Sequence, residues 1–223
     1  MTEPKQPLSW LAIGGTLLML VGTYLHPMDA DPNVPLAAFT EYAADRHWVV
    51  SHLMQLCGVT FMVAALVLLS RLLAVGPAQA VAAVGTAGAV ASLAVAAVLQ
   101  AVDGVALKAM VDTWAAAPER EKAGLFQAAL AVRQIEIGHA SMTSLLFGLT
   151  LSLFGVALLM DQRFPKWLGI LAIAGGVPTA IAGAVIAHTG FSELAMAISL
   201  LSGTLLLLWM ISLGVHAWRS PSL

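Results

Sequence analysis

Six long stretches of the chain contain no Asp, Glu, Lys or Arg, and this pattern constrains the fold more than any other feature of the sequence. A helix needs about 20 mostly apolar residues to cross the hydrocarbon core of a bilayer, and each stretch comes close to that length or exceeds it. The predicted spans 1 to 6 cover residues 8–25, 48–70, 79–102, 138–160, 167–189 and 194–217. The sequence therefore predicts an all-α integral membrane bundle of six transmembrane helices.

The composition agrees with this prediction. Hydrophobic residues make up 60% of the chain and charged residues only 10%, whereas an ordinary soluble domain has about 25% charged residues. Residues 1–223 are therefore predicted to form a single transmembrane domain in contact with the lipid bilayer. The 10 Lys and Arg against 12 Asp and Glu give a net charge of -2, and without a basic excess we expect no nucleic-acid partner.

The connections between spans predict the orientation. Those after spans 2 and 4 are short and carry Arg71, Arg163 and Lys166, and an even number of spans puts both termini on the same side. Basic residues favour the cytoplasmic side, so we expect both termini in the cytoplasm. The opposite side has five basic residues, mostly in longer loops where this rule loses force, and it collects most of the carboxylates. We expect an acidic outer face.

The long outer connection between spans 3 and 4 predicts a further helix. Pro118 stands where a helix could begin, and Glu119 and Glu121 would occupy its first turn. Apolar residues then recur at helical spacing, at Leu125, Ala129, Val132 and Ile135. We expect an outer amphipathic helix that leads into span 4 and covers the outer end of the bundle.

Spans 2 and 3 resemble spans 4 and 5 in layout. Each pair begins with an outer histidine, turns on the inner side and returns to an outer polar residue: His52 and Asp103 in the first pair, His139 and His188 in the second. This spacing is compatible with two tandem helical hairpins plus flanking helices. Membrane thickness alone also imposes such a spacing, so both interpretations stay open.

Five of the six histidines lie at the outer ends of spans, and this is the most informative chemical feature of the sequence. They are His26, His47, His52, His139 and His188, and the carboxylates of Asp103 and Glu136 lie at the same level. Ionisable side chains inside a membrane are costly, so their presence there is a functional hypothesis. The hypothesis is strongest for the outer end of the bundle.

Imidazoles on facing helices can bind either haem or a metal ion. For haem b, the candidate axial ligands are His52, His139 and His188. For a divalent transition metal, the candidates are His26, His52, Asp103, Glu136, His139 and His188, with about three of them binding and one position left open for water. A haem centre would suit redox work with a membrane quinone or another electron carrier. The sequence does not separate these two kinds of centre.

Other functions remain open. Histidines also occur at membrane interfaces without a ligand, and Glu136 could simply pair with Arg133, three residues earlier. In that case the chain would be a structural subunit that docks a protein partner on its acidic outer face. A metal-dependent hydrolase and a small transporter are further alternatives, although the common hydrolase, nucleotide-binding and thiol-redox motifs are absent from the sequence. The sequence does not decide whether the protein is an enzyme.

Short motifs around the first two spans carry a resemblance to known sequences. They are Thr23-Tyr24-Leu25-His26-Pro27, Arg46-His47-Trp48 and Ser51-His52-Leu53. In these motifs the chain resembles uncharacterised small polytopic membrane proteins of bacteria. The resemblance implies a six-helix fold and a bacterial inner-membrane location, and it attaches no activity or cofactor.

Overall fold

The computed structural model describes residues 5–74 and 76–220, and these form helices without any strand. The α-helices are α1 Lys5–Leu25, α2 Pro35–Ala44, α3 Trp48–Leu72, α4 Ala78–Ala101, α5 Lys108–Ala116, α6 Glu119–Met160, α7 Lys166–Thr189 and α8 Glu193–Arg219. A π-helical turn, Val102–Leu107, joins α4 to α5. The predicted domain 1–223 also includes residues 1–4, 75 and 221–223, which lie outside the described residues.

Six helices of the described chain are long and apolar enough to cross a membrane, which confirms the six predicted spans and the all-α class. Helices suit this setting because lipid offers no hydrogen-bond partner to the backbone, and a helix pairs its backbone groups internally. The chain is thus a multi-pass membrane protein in contact with the bilayer.

Two of these helices extend well beyond the predicted spans. The predicted outer helix is present: α6 begins directly after Pro118 and continues for 42 residues, about 63 Å, without a break into span 4. Span 3 was predicted to end at residue 102, but Ala78–Ala116 is one continuous helix of 39 residues. Its extension holds because Leu107 and Val111 are buried in an outer hydrophobic cluster that sequence periodicity did not reveal.

The six long helices form a closed ring. Contacts join α1 to α3, α3 to α4, α4 to α6, α6 to α7 and α7 to α8, and α8 returns to contact α1. Both predicted hairpins, α3 with α4 and α6 with α7, are therefore neighbouring pairs in this ring. Because successive spans cross the membrane in opposite directions, every neighbouring pair in the ring is antiparallel.

Glycines and serines allow the ring to close tightly. A Cβ atom on Gly15 would lie 2.8 Å from the carbonyl oxygen of Gly58, and the reverse distance is also 2.8 Å, so α1 and α3 are in backbone contact. Ser9 donates a hydrogen bond of 2.7 Å to the carbonyl of Gly214, which links α1 to α8. Close backbone approach of this kind is the usual basis of helix association in lipid.

An ion pair secures the end of the ring at which α1 begins and α8 ends; we call this end inner and the opposite end outer. The guanidinium of Arg163 donates to Asp161 Oδ2 at 2.6 Å and to the carbonyl of Leu72 at 2.5 Å, so the turn between α6 and α7 is bound to the end of α3. The hydrogen bond from Arg163 holds the pKa of Asp161 below its ordinary value of 3.8. A carboxylate with a lowered pKa stabilises the fold above that ordinary value, and the contribution is lost as the pH falls through the lowered pKa.

We predict that Asp161→Asn lowers the free energy of unfolding by about 1 kcal/mol at pH 7, a value limited by the solvent exposure of Arg163. The apparent unfolding temperature in detergent micelles measures this loss, and the difference from wild type should shrink below pH 3.8. Glu119→Gln is the matched control, because that side chain is 91% exposed. Equal losses in the two variants would contradict the assignment.

Candidate functional site

An aromatic layer covers the outer end of the ring. The short helix α2 lies over α5 and places Phe39 and Tyr42 in a buried cluster with Trp48 and Leu107. Tyr42 and Trp48 have ring centroids 4.2 Å apart, and the ring of Trp48 also contacts His52 at 4.8 Å. The layer thus covers His52, the histidine of α3, from the outer side.

The π-helical turn brings Asp103 to this histidine. Within the turn, Gly104 lies so close to α3 that an added Cβ atom would be 2.5 Å from the Cβ of His52. The indole N–H of Trp48 donates to the backbone carbonyl of Asp103 at 3.0 Å, which fixes the turn against α3. Such turns are rare and occur frequently at functional sites.

His26, His52 and Asp103 form a compact cluster. One potential ligand atom of each residue lies within 4.8 Å of those of the other two. Nε2 of His52 is 3.0 Å from Oδ2 of Asp103, and the rings of His26 and His52 have centroids 5.0 Å apart. His52 is only 2% exposed, so the cluster is largely shielded from solvent. The cluster joins the end of α1, the start of α3 and the π-helical turn.

The hydrogen bonds of the two histidines assign their protons. Nδ1 of His52 is 2.7 Å from the carbonyl of Trp48, and Nδ1 of His26 is 2.8 Å from the carbonyl of Pro27. A carbonyl oxygen can only accept, so each Nδ1 carries a hydrogen, and Nε2 is the nitrogen left to bind a ligand. Metal-binding histidines usually donate their other ring N–H in this way.

Nε2 of His52 therefore faces a carboxylate oxygen. Two acceptors at 3.0 Å attract each other only if a proton on one of the two groups or a cation lies between them. The other oxygen of Asp103, Oδ1, is buried and has no hydrogen-bond partner in the described part of the chain. Burial lowers the pKa of His26 below 6.5, and the neighbouring His52 lowers it further. The unpaired Oδ1 of Asp103 leaves the cluster with an acceptor that a ligand could use.

A cavity of about 310 Å³ opens beside the cluster. His26, His52 and Asp103 lie along its wall together with a second buried pair, Arg133 and Glu136, whose ion pair is 2.5 Å long. The remaining lining residues are Thr23, Pro27, Met28, Ala30, Pro32, Glu41, Tyr42, Gln55, Leu99, Gln100, Ala140, Phe191 and Met196. Small ligands typically bind in mostly apolar cavities with a few polar groups, and this cavity has that character.

The structure brings together three of the six predicted metal ligands, namely His26, His52 and Asp103. Glu136 reaches the same cavity but pairs with Arg133, as the alternative interpretation of the sequence expected. His139 is half-buried on α6 and His188 is exposed at the end of α7, and neither lines the cavity. Haem binding through His52, His139 and His188 stays a prediction.

Sequence reasoning missed three residues of the site. Tyr42 and Trp48 enclose the cluster, and Gly104 permits the contact between the π-helical turn and α3. The only available signal for Gly104 was its position directly after Asp103, because small residues occur throughout the spans. Tyr42 lies in an outer connection that carried no periodic pattern strong enough to predict α2.

We predict that Gly104→Ala destabilises the protein by about 1–3 kcal/mol, because the new methyl group would overlap with His52 and force α3 away from the π-helical turn. The apparent unfolding temperature in detergent micelles measures the effect. Gly138→Ala is the matched control, since a Cβ there meets nothing within 4 Å, and it should be neutral or slightly stabilising. An unchanged unfolding temperature for Gly104→Ala would refute the described contact.

Comparison with known proteins gives a family and no activity. No curated protein and no solved structure matches the chain. A family model described as "Domain of unknown function (DUF4386)" matches residues 37–214. This range contains His52 and Asp103, whereas His26 precedes it. The match agrees with the resemblance to an uncharacterised group, and because it covers most of the chain, this protein belongs to the DUF4386 family.

Proposed function

We propose that this protein binds a divalent transition metal ion through Nε2 of His26, Nε2 of His52 and the carboxylate of Asp103. The observation that carries the proposal is the contact between His52 Nε2 and Asp103 Oδ2, in which the Nδ1 hydrogen is already committed to the carbonyl of Trp48. A cation between the two acceptors removes their repulsion and neutralises the buried carboxylate.

The ligand set favours a reactive centre over a purely structural one. Two histidines and one carboxylate leave coordination positions open, as in catalytic zinc sites and in non-haem iron sites. The cavity has room for a water molecule or a small ligand at those positions. A metal ion of this kind lowers the pKa of bound water towards 7, so metal-assisted hydrolysis is the reaction class that the site supports best.

The haem alternative makes a different demand on the site. Both ring nitrogens of His52 are engaged, one with Trp48 and the other with Asp103, so ligation of haem iron by His52 would require the contact with Asp103 to break. This geometry favours a small ion over a macrocycle. Redox exchange with a membrane quinone follows only from a haem or iron centre, and it is therefore secondary to metal binding in our proposal.

We further propose that the site lies on the periplasmic side of a bacterial inner membrane. The helix ends and turns on the opposite side carry Arg71, Arg163 and Lys166, and Arg163 binds the end of α3 there. Basic residues of this kind are retained in the cytoplasm. The outer connections carry most of the carboxylates, which would attract metal cations to that face.

The orientation predicts the behaviour of alkaline phosphatase fusions, because that enzyme is active only after export from the cytoplasm. In a bacterial host, a fusion at the C-terminus of the full chain should be inactive, and a fusion after Ala117 should be active. Equal expression of the two fusions on an immunoblot is the control. Activity in the C-terminal fusion alone would reverse the orientation.

For the metal site, we predict one equivalent of bound transition metal per chain, measured by elemental analysis after purification without chelator and dialysis against buffer containing Zn²⁺ or Co²⁺. His52→Ala and Asp103→Asn each remove a ligand and should lower the affinity by about 100-fold or more. His188→Ala is the matched control, because that histidine is exposed and outside the cavity, and it should bind as wild type does.

Two other outcomes would contradict the proposal. Folded wild-type protein without stoichiometric metal would mean that a protonated His52 simply pairs with Asp103, and it would favour a structural subunit that docks a partner on the acidic outer face. A Soret band that disappears in His52→Ala or His139→Ala would favour haem instead.

A further inference from the structure

The cavity carries hydrogen-bond donors on the wall that holds Arg133. The side chain of Arg133 is only 7% exposed, and its single hydrogen bond within the described residues joins Nη1 to Glu136 Oε2. A guanidinium has five N–H donors, so most of them remain available on a residue that lines the cavity. Buried polar groups are normally paired, so these donors are available to a ligand or to water in the cavity.

Two aromatic rings hold the guanidinium in place. Its central carbon lies 5.6 Å from the centroid of the Tyr42 ring and 5.0 Å from that of the Phe191 ring. These contacts and the bond to Glu136 restrict the rotation of the side chain, and a fixed guanidinium loses little further entropy when it binds an anion. The edge of the planar group that Glu136 leaves free can bind two oxygen atoms of one ligand.

Tyr42 supplies a neutral donor beside this group. Burial raises the pKa of Tyr42 to about 12, so its hydroxyl keeps the proton at neutral pH. That hydroxyl makes no hydrogen bond with any residue that the structure describes, and Tyr42 lines the cavity. Arg133 and Tyr42 are neighbours in the lining, since the guanidinium carbon lies 5.6 Å from the centroid of the Tyr42 ring, and His26, His52 and Asp103 line the same cavity.

The charges in the cavity make this arrangement dependent on the metal. Glu41 uses its carboxylate to accept hydrogen bonds from the backbone of Asp29 and Ala30 in the exposed loop. With Asp103, Glu136 and Arg133, the charged side chains of the lining carry a formal total of two negative charges. A divalent ion at the cluster cancels that total. The metal-loaded cavity would then no longer repel an anionic group, and Arg133 would attract it.

The rest of the lining is mostly apolar. It includes Pro27, Met28, Leu99, Phe191 and Met196. A ligand that matches both the polar donors and the apolar part of the lining has an anionic oxygen-bearing head and an apolar body.

We propose that the cavity binds the oxyanion head of an amphiphile, a phosphate monoester or a carboxylate, between the metal ion and the donors of Arg133 and Tyr42. This inference rests on the proposed metal centre. In the complex, one oxygen of the head occupies an open position on the metal, and the other oxygens accept hydrogen bonds from Arg133 and Tyr42. The ligand could be a membrane lipid or a soluble ester, and both share this head chemistry.

The test uses the full chain loaded with Co²⁺ in detergent, because the visible absorption of Co²⁺ reports its coordination. Methyl phosphate and acetate are the soluble probes, and each titration should change the Co²⁺ bands in a saturable way. For the lipid source, the same spectrum is recorded in phosphatidylcholine nanodiscs with and without phosphatidic acid. A response to phosphatidic acid at a lower concentration than to methyl phosphate assigns a lipid head, and an equal or weaker response to phosphatidic acid assigns a soluble ester.

Arg133→Lys keeps the charge beside Glu136 but loses the planar fork, so it should weaken oxyanion binding about tenfold or more and leave Co²⁺ affinity unchanged. Arg120→Lys is the matched control, since that side chain is 83% exposed, and it should bind as wild type does. Tyr42→Phe removes a single hydroxyl and should weaken binding by a smaller factor. It also serves as the second variant if Arg133→Lys does not fold.

The possible failures are distinguishable. If Co²⁺ binds but no probe alters its spectrum, the oxyanion proposal is wrong and the metal site stands. If the probes bind equally well to wild type, Arg133→Lys and Tyr42→Phe, the assignment to this wall is wrong. If Co²⁺ does not bind to folded protein, the proposed function fails, and the inference built on it fails as well.

Discussion

The absence of hydrogen-bonding solvent inside a bilayer is the constraint on which this structure depends. It requires each span to pair its own backbone groups, and the six apolar stretches do so as helices. Lipid also provides little hydrophobic force between helices, so the ring is closed by small residues in backbone contact, such as Gly15 with Gly58, and by the hydrogen bond from Ser9 to Gly214. Close backbone contacts between helices therefore stabilise the fold more than the burial of apolar side chains does.

The outer end of the ring differs from this regular apolar packing. There the regular helix is interrupted by the π-helical turn, and His52, Asp103, Arg133 and Glu136 line one cavity. Buried charged groups are costly unless they are paired, and each carboxylate here has one cationic or histidine partner. An irregular turn and several buried ionisable groups at one place are what a binding site requires, and the inner end has no comparable concentration of them in the described residues.

Much of the fold could be predicted, because the membrane forces each span to cross it and so sets the depth of every residue along the membrane normal. Depth follows from the position of a residue within its span, and on that basis the sequence predicted that His26, directly after α1, and the histidines of α3, α6 and α7 lie at one end of the bundle. Depth does not give the direction of a side chain around the bundle. His26 and His52 meet because α1 and α3 are neighbours in the ring, whereas His188 ends exposed on α7, whose neighbours are α6 and α8.

The sequence by itself determined that this protein crosses the membrane six times, that a long outer helix leads into the fourth span, and that ionisable groups collect at one end. Hydrophobic length and charge placement decide these properties locally, without knowledge of which helices touch. Only the tertiary structure decided which ionisable groups meet. The order of the helices in the ring and the π-helical turn at Asp103 set that outcome, and both depend on close contacts, such as Gly104 against His52, between residues far apart in the chain.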